Sequence, residues 1–269
     1  MSDKAILVIL DGLNGTVGLN CMGFMQALCE QNRGQAYILK SELPSMSRPL
    51  YECLLTGIRP IDSGIYHNQV QRLSQEQSIF HYCLQEGKTT AAAAYHWFSE
   101  LYNRSPFDAS IDRHVNDQKF PIQFGHFYYD DVYPDSHVFD DAEHLRATYR
   151  PDFLLVHPMN IDDTGHKYGI DSAEYRNAAR KADVYLSKYL NIWLQDGYQI
   201  IVTADHGMNN DFTHGGILLE EREVPLYVFG DKFSYSKDIN KISQTQLCGT
   251  ICELLKVNHN KSICRALLK

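Results

Sequence analysis

Four short apolar runs punctuate the chain, each ending abruptly in polar residues: Ala5 to Leu10, Phe153 to His157, Gln199 to Ala204 and Pro225 to Phe229. Their shortness and their β-branched or leucine-rich make-up predict strands buried on both faces. Helical spacing lies between and after them. It is clearest over Ser172 to Gln195, where Ala178, Ala182, Tyr185, Tyr189 and Trp193 recur with charges between them, and over Ser243 to Lys256, where Leu247, Ile251, Leu254 and Leu255 share one side. Strands alternating with helices predict an α/β fold, a mostly parallel central sheet flanked by helices on both faces.

Trp97 to Arg150 departs from this pattern. It is rich in Tyr, Phe, Asp, Asn and Pro, as in HFYYDDVYPDSH, and shows no sustained period. It reads as an aromatic-rich insertion at about 97–150, lying over one end of the sheet. With 269 residues, 44% of them hydrophobic, and no internal repeat or linker, residues 1–269 read as a single globular domain with one core.

Charge narrows the function classes. A formal net charge of −8 with no long basic run speaks against coating nucleic acid or an anionic membrane. The Ala5 to Leu10 run is too short for a signal peptide or a membrane span, so a soluble, cytoplasmic protein without a membrane partner is expected. Seven scattered cysteines with no CxxC pair read as reduced core residues, although Cys248 and Cys252 share a helix face.

The chemistry gathers where the strands end. Asp11 follows the first run, Asp162 and His166 lie just past the second, and Asp205 and His206 follow the third. In open α/β sheets, ligands bind beyond the carboxyl ends of the strands. His214 sits in a glycine-flanked loop that could fold back to join them. Each residue alone reads as a turn, a cap or a surface group. Together they bring three carboxylates to one edge, which requires positive charge; mixed Asp/His ligation of a divalent metal meets that need, and zinc suits the ligand set best.

A nucleophile is available in LPSMSRPLYECLLTG, Leu43 to Gly57, where Ser45 and Ser47 precede a helical run. A serine at a helix start is ordinarily an N-cap, which accounts for at least one of the two. The same helix start offers free amides and a favourable dipole to a phosphate.

These motifs in order, ILDG at Asp11, PSMSRP at Ser47, TGIRPIDSGIYHN ending at Asn68, DDTGHKYG, ADHGM and THGG, resemble the alkaline phosphatase superfamily. The resemblance runs from Ala5 to about Phe229. It is closest to the nucleotide pyrophosphatase/phosphodiesterase branch, which includes phosphonoacetate hydrolase-like members. It implies an alkaline phosphatase-like fold and two divalent metal ions, zinc or alternatively manganese. Asp162, His166 and His214 would hold one; Asp11, Asp205 and His206 would hold the other together with the Ser47 oxygen. Ser47 becomes the nucleophile of a phosphoserine intermediate, and Asn68 the donor to a nonbridging phosphate oxygen, with the helix amides stabilising equatorial charge. Arg48 is a further candidate for substrate contact.

Three departures stand out. Ser47 replaces the branch's usual threonine, Arg48 stands where a bulky aromatic or apolar residue is common, and the nucleotide-binding elaborations of larger relatives are largely missing. The expected substrate is a small-molecule phosphate ester or nucleotide, a diester before a monoester, because a dianionic monoester needs further cations and only Arg48, Arg104 and Arg113 are candidates. Phosphomonoesterase or phosphonoacetate hydrolase-like chemistry is the alternative, and a catalytically silent metal-binding or phosphate-sensing module is the alternative of another class. Trp97, Phe98, Tyr128 and Tyr129 could stack on a base or pack as a lid. His157 reads as a core histidine, His67 and His96 are undecided, and Asp163 reads as a solvated loop acid.

Overall fold

The computed structural model describes residues 3–237, 239 and 242–269. Among these, eight strands form one sheet: β1 (Lys4–Ile9), β2 (Gln35–Lys40), β3 (Thr90–Tyr95), β4 (His114–Asn116), β5 (Phe124–Tyr128), β6 (Phe153–Val156), β7 (Tyr198–Thr203) and β8 (Glu223–Phe229). Their order is β2-β8-β7-β1-β6-β3-β5-β4. The centre, from β7 through β1, β6 and β3 to β5, is parallel, while β8, β2 and β4 pair antiparallel towards the edges. The four runs picked out by apolarity are therefore β1, β6, β7 and β8, with bounds shifted by a residue or two.

Helices Gly15–Cys21, Gly23–Glu30, Asp135–Tyr149 and Ala173–Gln195 pack together on one side of the sheet. Ser47–Thr56, Ile79–Gln85, Trp97–Tyr102 and Leu247–Leu255 pack together on the other. β1 lies at the middle of this sandwich with Ile6, Leu7, Val8 and Ile9 buried, each worth about 1.5–3 kcal/mol of apolar burial. No helix among the described residues is long and apolar enough to cross a membrane.

Several expectations need correction. The long helix starts at Ala173 with the Ser172 side chain capping the Tyr175 amide. Its buried stripe is Tyr175, Ala179, Ala182, Leu186, Leu190 and Trp193; Ala178, Tyr185 and Tyr189 only flank it. The Ser243 to Lys256 helix is a short 3-10 turn, Gln244–Gln246, followed by Leu247–Leu255, and Cys248 and Cys252 are free and buried in it. The aromatic stretch is no mere cover: it supplies β4 and β5 to the sheet and the Asp135–Tyr149 helix to one face. Strands of three and five residues interrupted by Gly125 and His126 are too short to show a period.

The register sets the site. Val8 of β1 pairs with Val156 of β6 and with Val202 of β7. Parallel strands in this register bring Asp11 level with Asp205, and His157 to the same end of the sheet, just past the end of β6. The backbone continues the match: Leu10 N–H donates to Thr203 O at 2.8 Å and Asp11 N–H to Pro158 O at 3.2 Å.

Candidate active site

Asp11 and Asp205 are fully buried, as is His206. The His206 Nε2 lies 3.4 Å from Asp11 Oδ1, 3.1 Å from Asp205 Oδ2 and 3.1 Å from Ser47 Oγ. Asp162 and His166 sit one turn apart on the helix Asn160–Tyr168, with His166 Nε2 3.4 Å from Asp162 Oδ2. The other Asp162 oxygen faces His214 Nε2 at 3.6 Å. The His206 and His214 rings stack with centroids 3.6 Å apart, so the two groups adjoin. Asp11, Asp205 and His206 form one cluster of ligand atoms, and Asp162, His206 and His214 another; His166, more exposed, reaches the second through Asp162. The structure thus brings all six sequence-derived residues and Ser47 to one place.

The close approach depends on a glycine. Gly12 has φ +70°, and a Cβ there would lie 2.7 Å from Asp162 Oδ1. Its amide donates to Asp205 Oδ1 at 3.2 Å, which turns Oδ2 towards the cluster.

All three histidines are set the same way. His166 Nδ1–H donates to Phe212 O at 2.8 Å, His206 Nδ1–H to Gly207 O at 2.9 Å and His214 Nδ1–H to Ser45 O at 2.7 Å. A carbonyl only accepts, so each ring carries its proton on Nδ1 and, when neutral, presents the Nε2 lone pair to the cluster.

Three carboxylate oxygens here, Asp11 Oδ1, Asp162 Oδ1 and Asp205 Oδ2, are buried with no hydrogen-bond partner. Buried charge left unpaired is costly, and divalent cations are what such a donor set takes. The electrostatics agree. Burial, then Asp11 and Asp162, push the Asp205 carboxyl well above its usual range. For Asp11, burial acts upward but His157, His206 and Tyr51 prevail and hold it at about 2. Burial and neighbouring His214 hold His206 down at about 4, whereas the Asp162 hydrogen bond lifts His166 to about 9. Ionising Asp205 beside Asp11 is therefore unfavourable unless positive charge is supplied nearby.

Ser47 opens the Ser47–Thr56 helix as its first residue, and Met46 holds the N-cap position without a side-chain bond. Neither serine is the cap. Ser45 instead donates its hydroxyl to Gly216 O at 2.9 Å and its carbonyl receives His214, tying the His214 loop to the helix start. The Asn68 Oδ1 accepts from Arg48 N–H at 3.0 Å, which leaves its amide hydrogens to donate. The expected helix amides are mostly spent: Arg48 N–H is given to Asn68, and Pro49 has none.

The Arg48 side chain is buried, ion-paired with Glu100 at 2.7 Å and lies over the Trp97 ring at 4.4 Å, with Nε and Nη1 unpartnered. Arg104 pairs with Asp112 at 3.3 Å, and Arg113 lies over Tyr129. Of the aromatics, Phe98 stacks on Tyr51 at 4.5 Å and Tyr128 is buried, while Tyr129 is exposed. Asp163 pairs with Lys167 at 2.7 Å, and His67 accepts from Gln69 N–H at 3.2 Å. His96 lies 4.0 Å from Glu100 behind Arg48.

Sequence reasoning missed two neighbours of Asp11. His157, read as a core histidine, places Nε2 3.1 Å from Asp11 Oδ2, and the Tyr51 hydroxyl donates to the same oxygen. The available signal was a histidine ending the β6 run beside a strand that ends in aspartate.

Comparison with known proteins agrees with this geometry. The type I phosphodiesterase/nucleotide pyrophosphatase family model matches residues 5–221. The human GPI ethanolamine phosphate transferase 2 catalytic subunit is 22% identical over 266 residues, 92% of this chain and 26% of that protein. GPI ethanolamine phosphate transferase 3 of Schizosaccharomyces pombe is 31% identical over 109 residues, 39% of this chain and 12% of its own length. The chain therefore spans about a quarter or less of these relatives. Murine ectonucleotide pyrophosphatase/phosphodiesterase 5 has the same fold, with a TM-score of 0.77 at 15% identity over 99% of this chain and 100% of that one. Its inactive form has been solved in complex with AMP. The ordered motifs, the sheet with its strand-end cluster and the family match lead to one conclusion: the chain belongs to the type I phosphodiesterase/nucleotide pyrophosphatase family.

Proposed function

We propose that the chain hydrolyses phosphodiesters, nucleotide pyrophosphates among them, through a phosphoserine at Ser47 in a site for two divalent ions, zinc first and manganese second. The observation that carries this reading is the trio of partnerless buried carboxylate oxygens, on Asp11, Asp162 and Asp205, gathered with His206 and His214 beside Ser47. Bound ions would supply positive charge for the attacking and leaving oxygens of an in-line displacement.

The residues then have distinct tasks. Ser47 Oγ bonds to phosphorus as the bond to the leaving alcohol breaks, and water later cleaves the Oγ–P bond. Asn68, with Oδ1 committed to the Arg48 amide, donates its amide hydrogens to a nonbridging oxygen. Arg48 serves substrate binding by holding this arrangement, through its amide to Asn68 and its ion pair to Glu100. That pairing supports a diester: two of the three arginines that could balance a dianion are ion-paired within the protein, Arg48 with Glu100 and Arg104 with Asp112.

A second reading is transfer of the phosphoryl group to an alcohol in place of water. Phe212 precedes His214, and Ile217, Leu218 and Leu219 follow it, all exposed. Three consecutive exposed aliphatics beside a polar site suit an amphiphilic phosphodiester, and two of the relatives named above are GPI ethanolamine phosphate transferases.

The test is turnover of bis-p-nitrophenyl phosphate against p-nitrophenyl phosphate with added zinc or manganese, by the chain and by Ser47→Ala. Diester preference lost in the variant supports hydrolysis at Ser47. Monoester preference contradicts the diester assignment. Turnover that rises with an added alcohol and yields its phosphate ester favours transfer, and metal binding without any turnover favours a silent module.

A further inference from the structure

We propose that His157 and Tyr51 are positioning residues that fix which oxygen of Asp11 faces the metal-ligand cluster. The inference rests on the two-metal reading above. The two oxygens of an isolated carboxylate are equivalent, and rotation exchanges them. At Asp11 they are not equivalent. His157 Nε2–H, at 3.1 Å, and the Tyr51 hydroxyl both donate to Oδ2, while Oδ1 has no hydrogen-bond partner and lies 3.4 Å from His206 Nε2. A carboxylate only accepts, so His157 carries a proton on Nε2. All three side chains are fully buried, so water does not compete for these bonds.

His157 is itself held from every side. Its N–H donates to Ala93 O at 2.9 Å and its carbonyl accepts the Tyr128 hydroxyl at 2.8 Å. Its ring meets the Tyr51 ring at 4.7 Å between centroids and Phe98 at 4.9 Å. A merely structural histidine needs a partner for its N–H, but nothing requires that partner to be a cluster carboxylate. Tyr51 adds a second link. It lies four residues after Ser47, one helical turn on, so the helix that carries the nucleophile also grips Asp11.

The experiment is zinc affinity by chelator competition on the metal-free 269-residue chain, with the thermal midpoint of each metal-free variant recorded. Tyr51→Phe keeps the ring and removes the hydroxyl; His157→Leu removes the donor, and His157→Gln returns one. Asp11→Asn is the reference. Outer partners of metal ligands typically change affinity by about 10–100-fold. The expected result is that loss, for one of two ions, in Tyr51→Phe and His157→Leu, with partial recovery in His157→Gln and an unchanged metal-free midpoint in Tyr51→Phe. If Asp11→Asn loses an ion while Tyr51→Phe and His157→Leu bind both at parent affinity, the positioning role is overturned and the metal centre stands. If Asp11→Asn itself binds both ions like the parent, the two-metal reading fails and takes this inference with it.

Discussion

Ser47 Oγ lies 3.1 Å from His206 Nε2, at the border of the buried Asp11–Asp205–His206 group and at the first position of its helix. If this oxygen forms the bond to phosphorus, Ser47→Ala lowers turnover by at least about 10³-fold, leaving the residual rate of positioning and charge stabilisation. Metal content, measured on the same samples, falls little, because three other ligand atoms remain in that group. Turnover within tenfold of the parent would exclude Ser47 as the nucleophile.

Asn68 is half-buried, and its side-chain oxygen accepts from the Arg48 amide. Asn68→Ala is expected to reduce kcat by about 10²–10³-fold, the usual cost of a lost donor to developing oxyanion charge. Stability changes little. A KM effect with unchanged kcat would assign Asn68 to ground-state binding only.

How much of this was readable beforehand follows from particular residues. Asp11 and the Asp205–His206 pair were legible because each ends an unbroken apolar run, and parallel register then brings such ends together. Ser47 could not be separated from Ser45 by helix chemistry, since both lie at the helix start and either reads as its cap; the structure separates them by what they touch, His206 for one and Gly216 for the other. β3 was missed because Thr-Ala-Ala-Ala-Ala-Tyr favours helix locally, whereas pairing between β5 and β6, with the Asp135–Tyr149 helix packed on it, makes it a buried strand. His157 is the buried, hydrogen-bonded core histidine that its run predicts, but a lone histidine beside an apolar run gives no sign of the carboxylate it will meet.

Arg48 and Glu100 form an ion pair at 2.7 Å with both side chains almost fully buried. Glu100→Ala leaves a guanidinium uncompensated and should cost about 3–5 kcal/mol of stability in urea denaturation. The double variant Arg48→Met, Glu100→Ala should recover most of that loss. If the single variant costs under about 1 kcal/mol, the pair is not the anchor between the helices Ser47–Thr56 and Trp97–Tyr102.

Glu52, on the same helix as Ser47, is pushed up to about 7 by burial, against the opposing hydrogen bonds from Ser74 and Tyr102. Its folded value lies above the unfolded one, so the folded state holds the extra proton. That contribution is full below about pH 4.5 and is lost as pH rises through about 7. Glu52→Gln carries no such proton. Its stability relative to the parent should therefore rise across this window by up to about 3 kcal/mol. Parallel stability curves for the two proteins between pH 4.5 and 8 would contradict the assignment.

The most direct test is anomalous diffraction at the zinc edge from crystals of the zinc-loaded chain. The account predicts two peaks: one bounded by Asp11, Asp205, His206 and Ser47, the other by Asp162, His166 and His214. Peaks only elsewhere on the surface, or none at a zinc concentration that supports turnover, would contradict it.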